Sequence, residues 1–442
     1  MTAGKTDSWL SPAILGWLIA SFFYFYQYAL RSAPSVMATQ LGEAFGVTAA
    51  GLGALVGLFY YGYAPFSLIA GVAMDQLGPR KVTPIAAATA GVGAFLFATG
   101  NLALAAVGSF LQGAAAIFAI VSAVHIATTR FPASQAGTLV GLTQMIGMAG
   151  GAACLFLLGP AIAGGMSWRV FWLFMGVAGI ALAGLQLAFT PKGQPPHQSS
   201  GSAPAGSRMQ NIKAAFRSVF GNPQSILCGV IAGLLFIPTT VFSMVWGVQF
   251  LQEGHDLPYT MAVLRSASVS VGWILGAPLL GLLSDRIGRR KPVIIGSAAV
   301  LLGCLGAILF GRPGLFPPYS LGFVAGFASG AAMLPYTVIK EANRPEYGGT
   351  ATGVISFLNF SLSALLGPMF GALLARASEG AARDLADYQT AFTPLLYVVG
   401  LAIVLTFALR ETGPAIRSSA LAARIPDYRG APRDIQERKP YV

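Results

Sequence analysis

Arg31 stands in a run that is otherwise aromatic and apolar, Phe23-Tyr-Phe-Tyr-Gln-Tyr-Ala-Leu-Arg31-Ser-Ala-Pro34. Tyr24, Gln27 and Tyr28 precede it, and Ser35 follows it, at helical spacings that bring their side chains onto one face. A guanidinium closing a polar aromatic stripe suits bidentate binding of a carboxylate or a phosphate. The competing role is structural: Arg31 would snorkel outward or bond carbonyls near Pro34. His125 is the other candidate for a charge deep in an apolar stretch. Its imidazole titrates near neutrality, so it would add a positive charge, carry a proton, or sit hydrogen-bonded as a structural residue. All fifteen acidic residues fall in loops, tails or the ends of apolar runs, so no interior carboxylate faces either group.

The elements that hold these residues follow from composition. Of 442 residues, 55% are hydrophobic and 10% charged, with a mean hydropathy of +0.68. Soluble domains run at about 45–50% apolar and about 25% charged. That excludes a soluble enzyme, a nucleic-acid binder and a disordered chain. Cys154, Cys228 and Cys304 lie far apart in apolar runs and form neither a metal-ligand pattern nor a disulfide framework. Met145, Met148, Met244 and Met261 are equally scattered, which favours packing over soft-metal binding.

A membrane span needs about 20 apolar residues. The stretches free of Asp, Glu, Lys and Arg predict twelve, over 12–37, 50–73, 83–100, 103–129, 136–160, 169–189, 224–250, 262–284, 292–311, 316–339, 348–375 and 388–409. The expected fold class is an all-α membrane protein, with twelve transmembrane helices in two six-helix pseudo-symmetric bundles. Its parts would be an N-terminal bundle (1–190), a cytoplasmic linker (191–223), a C-terminal bundle (224–410) and a cytoplasmic tail (411–442). With this topology 21 Lys and Arg lie on the side of the termini and five on the other, with Arg31 inside a span. The asymmetry places both termini in the cytoplasm of an inner or plasma membrane. The net charge of +12 is then a matter of topology rather than of nucleic-acid binding.

The two halves share a motif after their second span. Gly71-Val-Ala-Met-Asp75-Gln-Leu-Gly78-Pro-Arg80-Lys81 recurs 210 residues later as Gly281-Leu-Leu-Ser-Asp285-Arg286-Ile-Gly288-Arg-Arg290-Lys291. A basic loop explains the Arg and Lys but not the repeated Gly, Asp, Gly spacing. Gly71 and Gly281 are expected to permit close helix approach.

With these residues the chain resembles the major facilitator superfamily over nearly its whole length; the first motif copy departs from the family pattern at Gln76 and Pro79. The resemblance implies two bundles rocking about a central site. It also implies that Asp75, Arg80, Asp285, Arg286 and Arg290 latch the cytoplasmic side. In the family the first, fourth, seventh and tenth spans line the cavity, which makes Trp246, Gln249 and Tyr336 lining residues beside Arg31, Tyr24, Gln27 and His125. Gln144 and Asn359 would hold helices together. The run ending at Arg31 is also similar to the first span of organophosphate antiporters. The second arginine that similarity implies has no counterpart between Ser218 and Gln252, which favours a singly charged carboxylate over a phosphate.

The expected function is secondary transport of a small organic anion by rocker-switch alternating access, coupled to a proton or a counter-anion. The protein would act as a monomer in lipid, with no cofactor, no metal and no catalytic residues. Efflux of amphipathic drugs is the alternative, opposed by the missing interior acid and by the absence of a central Gly-Pro pair in the fifth span. A membrane receptor that binds its solute without carrying it is the alternative from another class.

Overall fold

The computed structural model describes residues 12–190, 205–311, 317, 319–344, 347–378 and 383–413. The side chain of Asp75, the first part of the expected linker and the tail beyond 413 lie outside the described residues. Among the described residues, twelve helices are long and apolar enough to cross a membrane. They are α1 (Pro12–Val36), α2 (Ala49–Leu77), α3 (Pro79–Ala98), α4 (Leu102–Arg130), α5 (Ala133–Ala163) and α6 (Trp168–Phe189). The second six are α7 (Pro223–Glu253), α8 (Tyr259–Ile287), α9 (Lys291–Phe310), α10 (Ser320–Glu341), α11 (Gly348–Ala377) and α12 (Leu385–Ala408). The chain is an integral membrane protein. Large apolar side chains exposed on the helices, such as Leu157, Phe174 and Val404, are the surface that lipid covers.

Side-chain caps start some of these helices. Asn101 Oδ1 accepts the Ala103 and Leu104 amides at the head of α4, and Asp384 and Asp387 form a capping box on α12. The motif glycines Gly78 and Gly288 both adopt positive φ, 74° and 73°, at the sharp turns after α2 and α8. That conformation is the physical reason for the second glycine of each copy. Gly71 and Gly281 correct an expectation: a Cβ at either would meet nothing within 4 Å, so close approach is not their role. The close crossings lie elsewhere. A Cβ at Gly62 on α2 would meet the Phe110 carbonyl of α4, and one at Gly272, 210 residues on, would meet the Phe323 carbonyl of α10.

Two helices were not visible in the hydropathy. Ala38–Phe45 follows α1 and ends at Gly46, whose φ is 61°. Ala205–Phe220 occupies the second part of the expected linker, and the Phe220 ring packs against Phe357 of α11. Below, the terminal side denotes the end where α1 begins and α12 ends; the far side is opposite.

The halves meet nearer the terminal side, where Ser67 Oγ of α2 donates to the Gly353 carbonyl of α11 at 3.2 Å, as well as on the far side. A Cβ at Gly53 of α2 would lie 3.5 Å from the backbone of Gly371 on α11, and Gly57 faces Pro368. Tyr259, the first residue of α8, donates its hydroxyl to the carbonyl of Val36 at the end of α1. Tyr259→Phe removes one part-buried hydrogen bond between the halves, worth about 1 kcal/mol. It should open the far side about fivefold more often, read as faster alkylation of a cysteine introduced by Gly53→Cys.

On the terminal side a charged network binds the second half together. Arg290 is buried; its guanidinium reaches Asp285 at 2.5 Å, Ser284 Oγ at 3.0 Å and Glu341 of α10 at 3.1 Å. Burial alone would lower its pKa, but Glu341 and Asp285 outweigh that and raise it. Glu411 accepts the backbone amides of Arg290 and Lys291 at 2.6 and 3.1 Å, capping α9, and the Thr412 hydroxyl donates to Glu341 at 2.7 Å. Arg286 is exposed and outside this network, and Arg80 is half-buried. Arg290→Ala should cost about 2 kcal/mol or more, seen as a lower melting temperature of the purified protein.

Candidate functional site

Arg31 lies where the two halves meet. Its residue exposure is 6%, so it does not snorkel to the surface. Five rings surround the guanidinium carbon: Tyr28 at 4.4 Å, Phe360 at 5.4 Å, Phe59 and Tyr60 at 5.8 Å, and Phe236 at 5.9 Å. These come from α1, α2, α7 and α11, so each half contributes to the cage. The ring faces stabilise a cation, by roughly 0.5–2 kcal/mol per good contact. They do not replace a counter-charge. Among the described residues no carboxylate pairs with Arg31, and its Nη1 is buried without a hydrogen-bond partner.

Further polar groups around the cage are similarly unsatisfied. Gln27, one turn before Arg31, is 2% exposed, and neither its Oε1 nor its Nε2 has a partner. Asn359, beside Phe360, donates to the Tyr336 hydroxyl at 3.1 Å while its Oδ1 has no partner. Buried polar groups are normally paired, and these are exceptions among the described residues. Tyr24 stacks edge-on against Tyr28 at 5.0 Å, and its hydroxyl reaches Gln144 of α5 at 3.3 Å. The packing of these helices is fixed by small residues: a Cβ at Gly147 would strike the Tyr24 ring, and one at Gly150 the Phe25 carbonyl.

Two devices shape the central helices. In α7 the residues Pro238–Trp246 form a π-helical stretch, and the widened turn leaves the Thr240 carbonyl to accept the Tyr60 hydroxyl at 3.1 Å. In α10 a 3₁₀ turn, Gly330–Met333, precedes Pro335 and Tyr336. The residues expected at the site divide accordingly. Arg31, Tyr24 and Gln27 share one face of α1, and Tyr336 reaches the same centre, near enough to Tyr28 and Arg31 for electrostatic interaction. Trp246 is fully buried at the far-side contact, facing Gly53, and Gln249 follows it one turn farther out. His125 is half-buried near the terminal end of α4, where its neighbours Ala123, Ile126 and Ala127 pack in a separate cluster with Trp17 and Ala20. Phe59, Tyr60, Phe236 and Phe360 were missed. An aromatic residue in an apolar span carries no sequence mark that separates a cage from a core.

The family model of the Major Facilitator Superfamily matches residues 17–368. The chain belongs to that superfamily. This member is a transporter, not an enzyme, and its substrate is a small molecule. A probable sulfoacetate transporter of Cupriavidus necator is 26% identical over 387 residues, covering 83% of this chain and 88% of the relative. A hexuronate transporter of Bacillus subtilis is 26% identical over 320 residues, 69% of this chain and 72% of that one. The fold is also that of a bacterial homologue of the human lysosomal transporter Spinster, in an inward-facing and unoccupied conformation. Its TM-score is 0.70 at 16% identity, over 92% of this chain and 98% of that one.

Proposed function

We propose that this superfamily member is a secondary active carrier of a small organic anion, held by Arg31 between the two halves and offered to each side in turn as they rock. One observation carries the reading: a guanidinium buried among five rings with no carboxylate partner among the described residues. A buried cation without a counter-charge is costly, and an anionic substrate supplies the missing charge. Two relatives are named for sulfoacetate and hexuronate; both are carboxylates, which agrees with an arginine anchor. Tyr24, Gln27 and Tyr336 would shape the pocket, with the free Gln27 amide and Asn359 Oδ1 available to a substrate's hydroxyl or sulfonate groups. Trp246 and Gln249 would act on the far-side route, and His125 would tune charge near the terminal end of α4.

The terminal side would be cytoplasmic, because the Lys and Arg excess lies there. The Asp75–Arg80 and Asp285–Arg290 loops, with Arg286 as the exposed member of the second, would gate that side of an inner membrane. The 1–190 and 224–410 parts would be the rocking bodies and 191–223 their connection. A proton or a counter-anion would drive the cycle of a monomer.

The test is uptake into proteoliposomes of sulfoacetate and glucuronate, with glucose as a neutral solute and a lipophilic cationic dye as a drug-like one. Saturable uptake of either anion with glucose and dye excluded is expected. Preferential uptake of glucose or dye overturns the anion reading, and binding of an anion without uptake overturns the carrier.

A further inference from the structure

The π-helical stretch of α7 has two sides. Val241, Val245 and Trp246 line a small void against α2, whereas Pro238, Thr239, Phe242 and Ser243 line a cavity of about 130 Å³ bordered also by α8, α9 and α10. That cavity lies within the second half, near the far side, and is distinct from the cage around Arg31. Three of its lining hydroxyls, those of Thr239, Ser266 and Ser268, are already engaged. Ser268 Oγ donates to the Arg265 carbonyl at 2.6 Å, Ser266 Oγ donates to the Ser243 carbonyl at 3.1 Å, and the Thr239 and Ser329 hydroxyls bond each other at 2.9 Å.

Arg265 is different. Its Nε is buried without a hydrogen-bond partner, and its Nη2 rests 3.7 Å from Met261 Sδ, a weak acceptor. Among the described residues neither Asp nor Glu lines the cavity, and Arg265 makes no ion pair. Two other ionisable groups stand in the wall, the Tyr319 phenol and His255 in the loop between α7 and α8; the His255 imidazole packs edge-on against Phe250 at 5.0 Å and is hydrogen-bonded to the backbone of Ile308. Burial lowers the His255 pKa, so the imidazole is neutral near pH 7 and the guanidinium supplies the charge in this wall.

We propose that this cavity is a second anion site, in which Arg265 holds a small carboxylate, sulfonate or phosphate group independently of Arg31. The engaged hydroxyls shape the cavity, and the planar donors of the guanidinium give it a bidentate grip that matches those oxyanions. Ser268 and Tyr319 also line an apolar groove with Leu264, Val271 and Phe323, open toward the membrane. A free anion in solution and the headgroup of an anionic lipid therefore bring the same chemistry to Arg265.

The experiment uses the purified full chain carrying Arg31→Gln, so that the central site is silent. Ethanesulfonate in a neutral detergent is the free-anion probe; phosphatidylglycerol in mixed micelles is the headgroup probe, with phosphatidylcholine as the neutral control. Saturable thermal stabilisation by at least one anionic probe is expected. The half-saturating amount should rise about tenfold or more on Arg265→Gln, which removes a charge-assisted contact. Arg265→Lys should fall between the two and guards against a poorly folded glutamine variant. A response to ethanesulfonate alone assigns the site to a soluble anion, and a response to phosphatidylglycerol alone to a lipid; either supports it. If no stabilisation depends on Arg265, the site is overturned, whatever uptake by the unmodified chain shows about Arg31.

Discussion

Arg31→Ala is expected to abolish anion uptake in proteoliposomes while leaving a folded protein at least as heat-stable as the unmodified chain. The two outcomes together separate a binding role from a structural one. Truncating one member of a buried, hydrogen-bonded charge pair costs about 2–5 kcal/mol of binding, so uptake at sub-saturating anion should fall at least about thirtyfold. A structural arginine behaves oppositely: its loss would strip partners of their hydrogen bonds and lower the melting temperature. Here the guanidinium is hydrogen-bonded to Tyr28 and otherwise has rings for neighbours, with no carboxylate partner among the described residues. Its removal relieves an uncompensated buried charge, the familiar opposition of stability and activity at a functional site. Arg31→Lys keeps the charge but loses the planar two-pronged donor set, and should restore uptake only weakly. Full uptake by the alanine variant would remove Arg31 as the anchor.

The second large effect concerns the helix crossings. Gly272→Ala drives a methyl group into the Phe323 carbonyl of α10, and Gly62→Ala drives one into the Phe110 carbonyl of α4. Both obstacles are backbone atoms of long helices, so neither can rotate away. The helices must separate, and overpacking of this kind costs typically about 1–3 kcal/mol or more. Gly281→Ala on the same helix as Gly272 meets nothing within 4 Å and should stay within about 0.5 kcal/mol. Size-exclusion profiles and melting curves of the three variants make the comparison. Equal behaviour of Gly272→Ala and Gly281→Ala would mean that the α8–α10 crossing has slack.

The span count was legible because hydrocarbon punishes charge so heavily that gaps between Lys, Arg, Asp and Glu mark the helices directly. The observed boundaries fall within a few residues of those gaps, the tenth span starting latest, at Ser320 instead of 316. The loop repeat was legible too, but the role given to its first glycine was not. Gly71 and Gly281 are in open space, while Gly78 and Gly288 need positive φ; spacing alone cannot tell a conformational glycine from a packing one. The helix Ala205–Phe220 escaped notice because it is short and polar and is seated partly by one aromatic contact, Phe220 on Phe357. Arg31 could be found because a charge in an apolar run is rare. Its cage could not, since Phe59, Phe236 and Phe360 resemble the other phenylalanines of the interior until three dimensions bring them together.

The docking of Glu411 and Thr412 onto the start of α9 and onto Glu341 has a practical side for anyone producing this protein. Residues just past the last span belong to the folded body, so an affinity handle or fluorescent fusion joined directly at Leu409 would unseat them. A junction placed after Gly413, which packs against Gly288, would leave that corner intact.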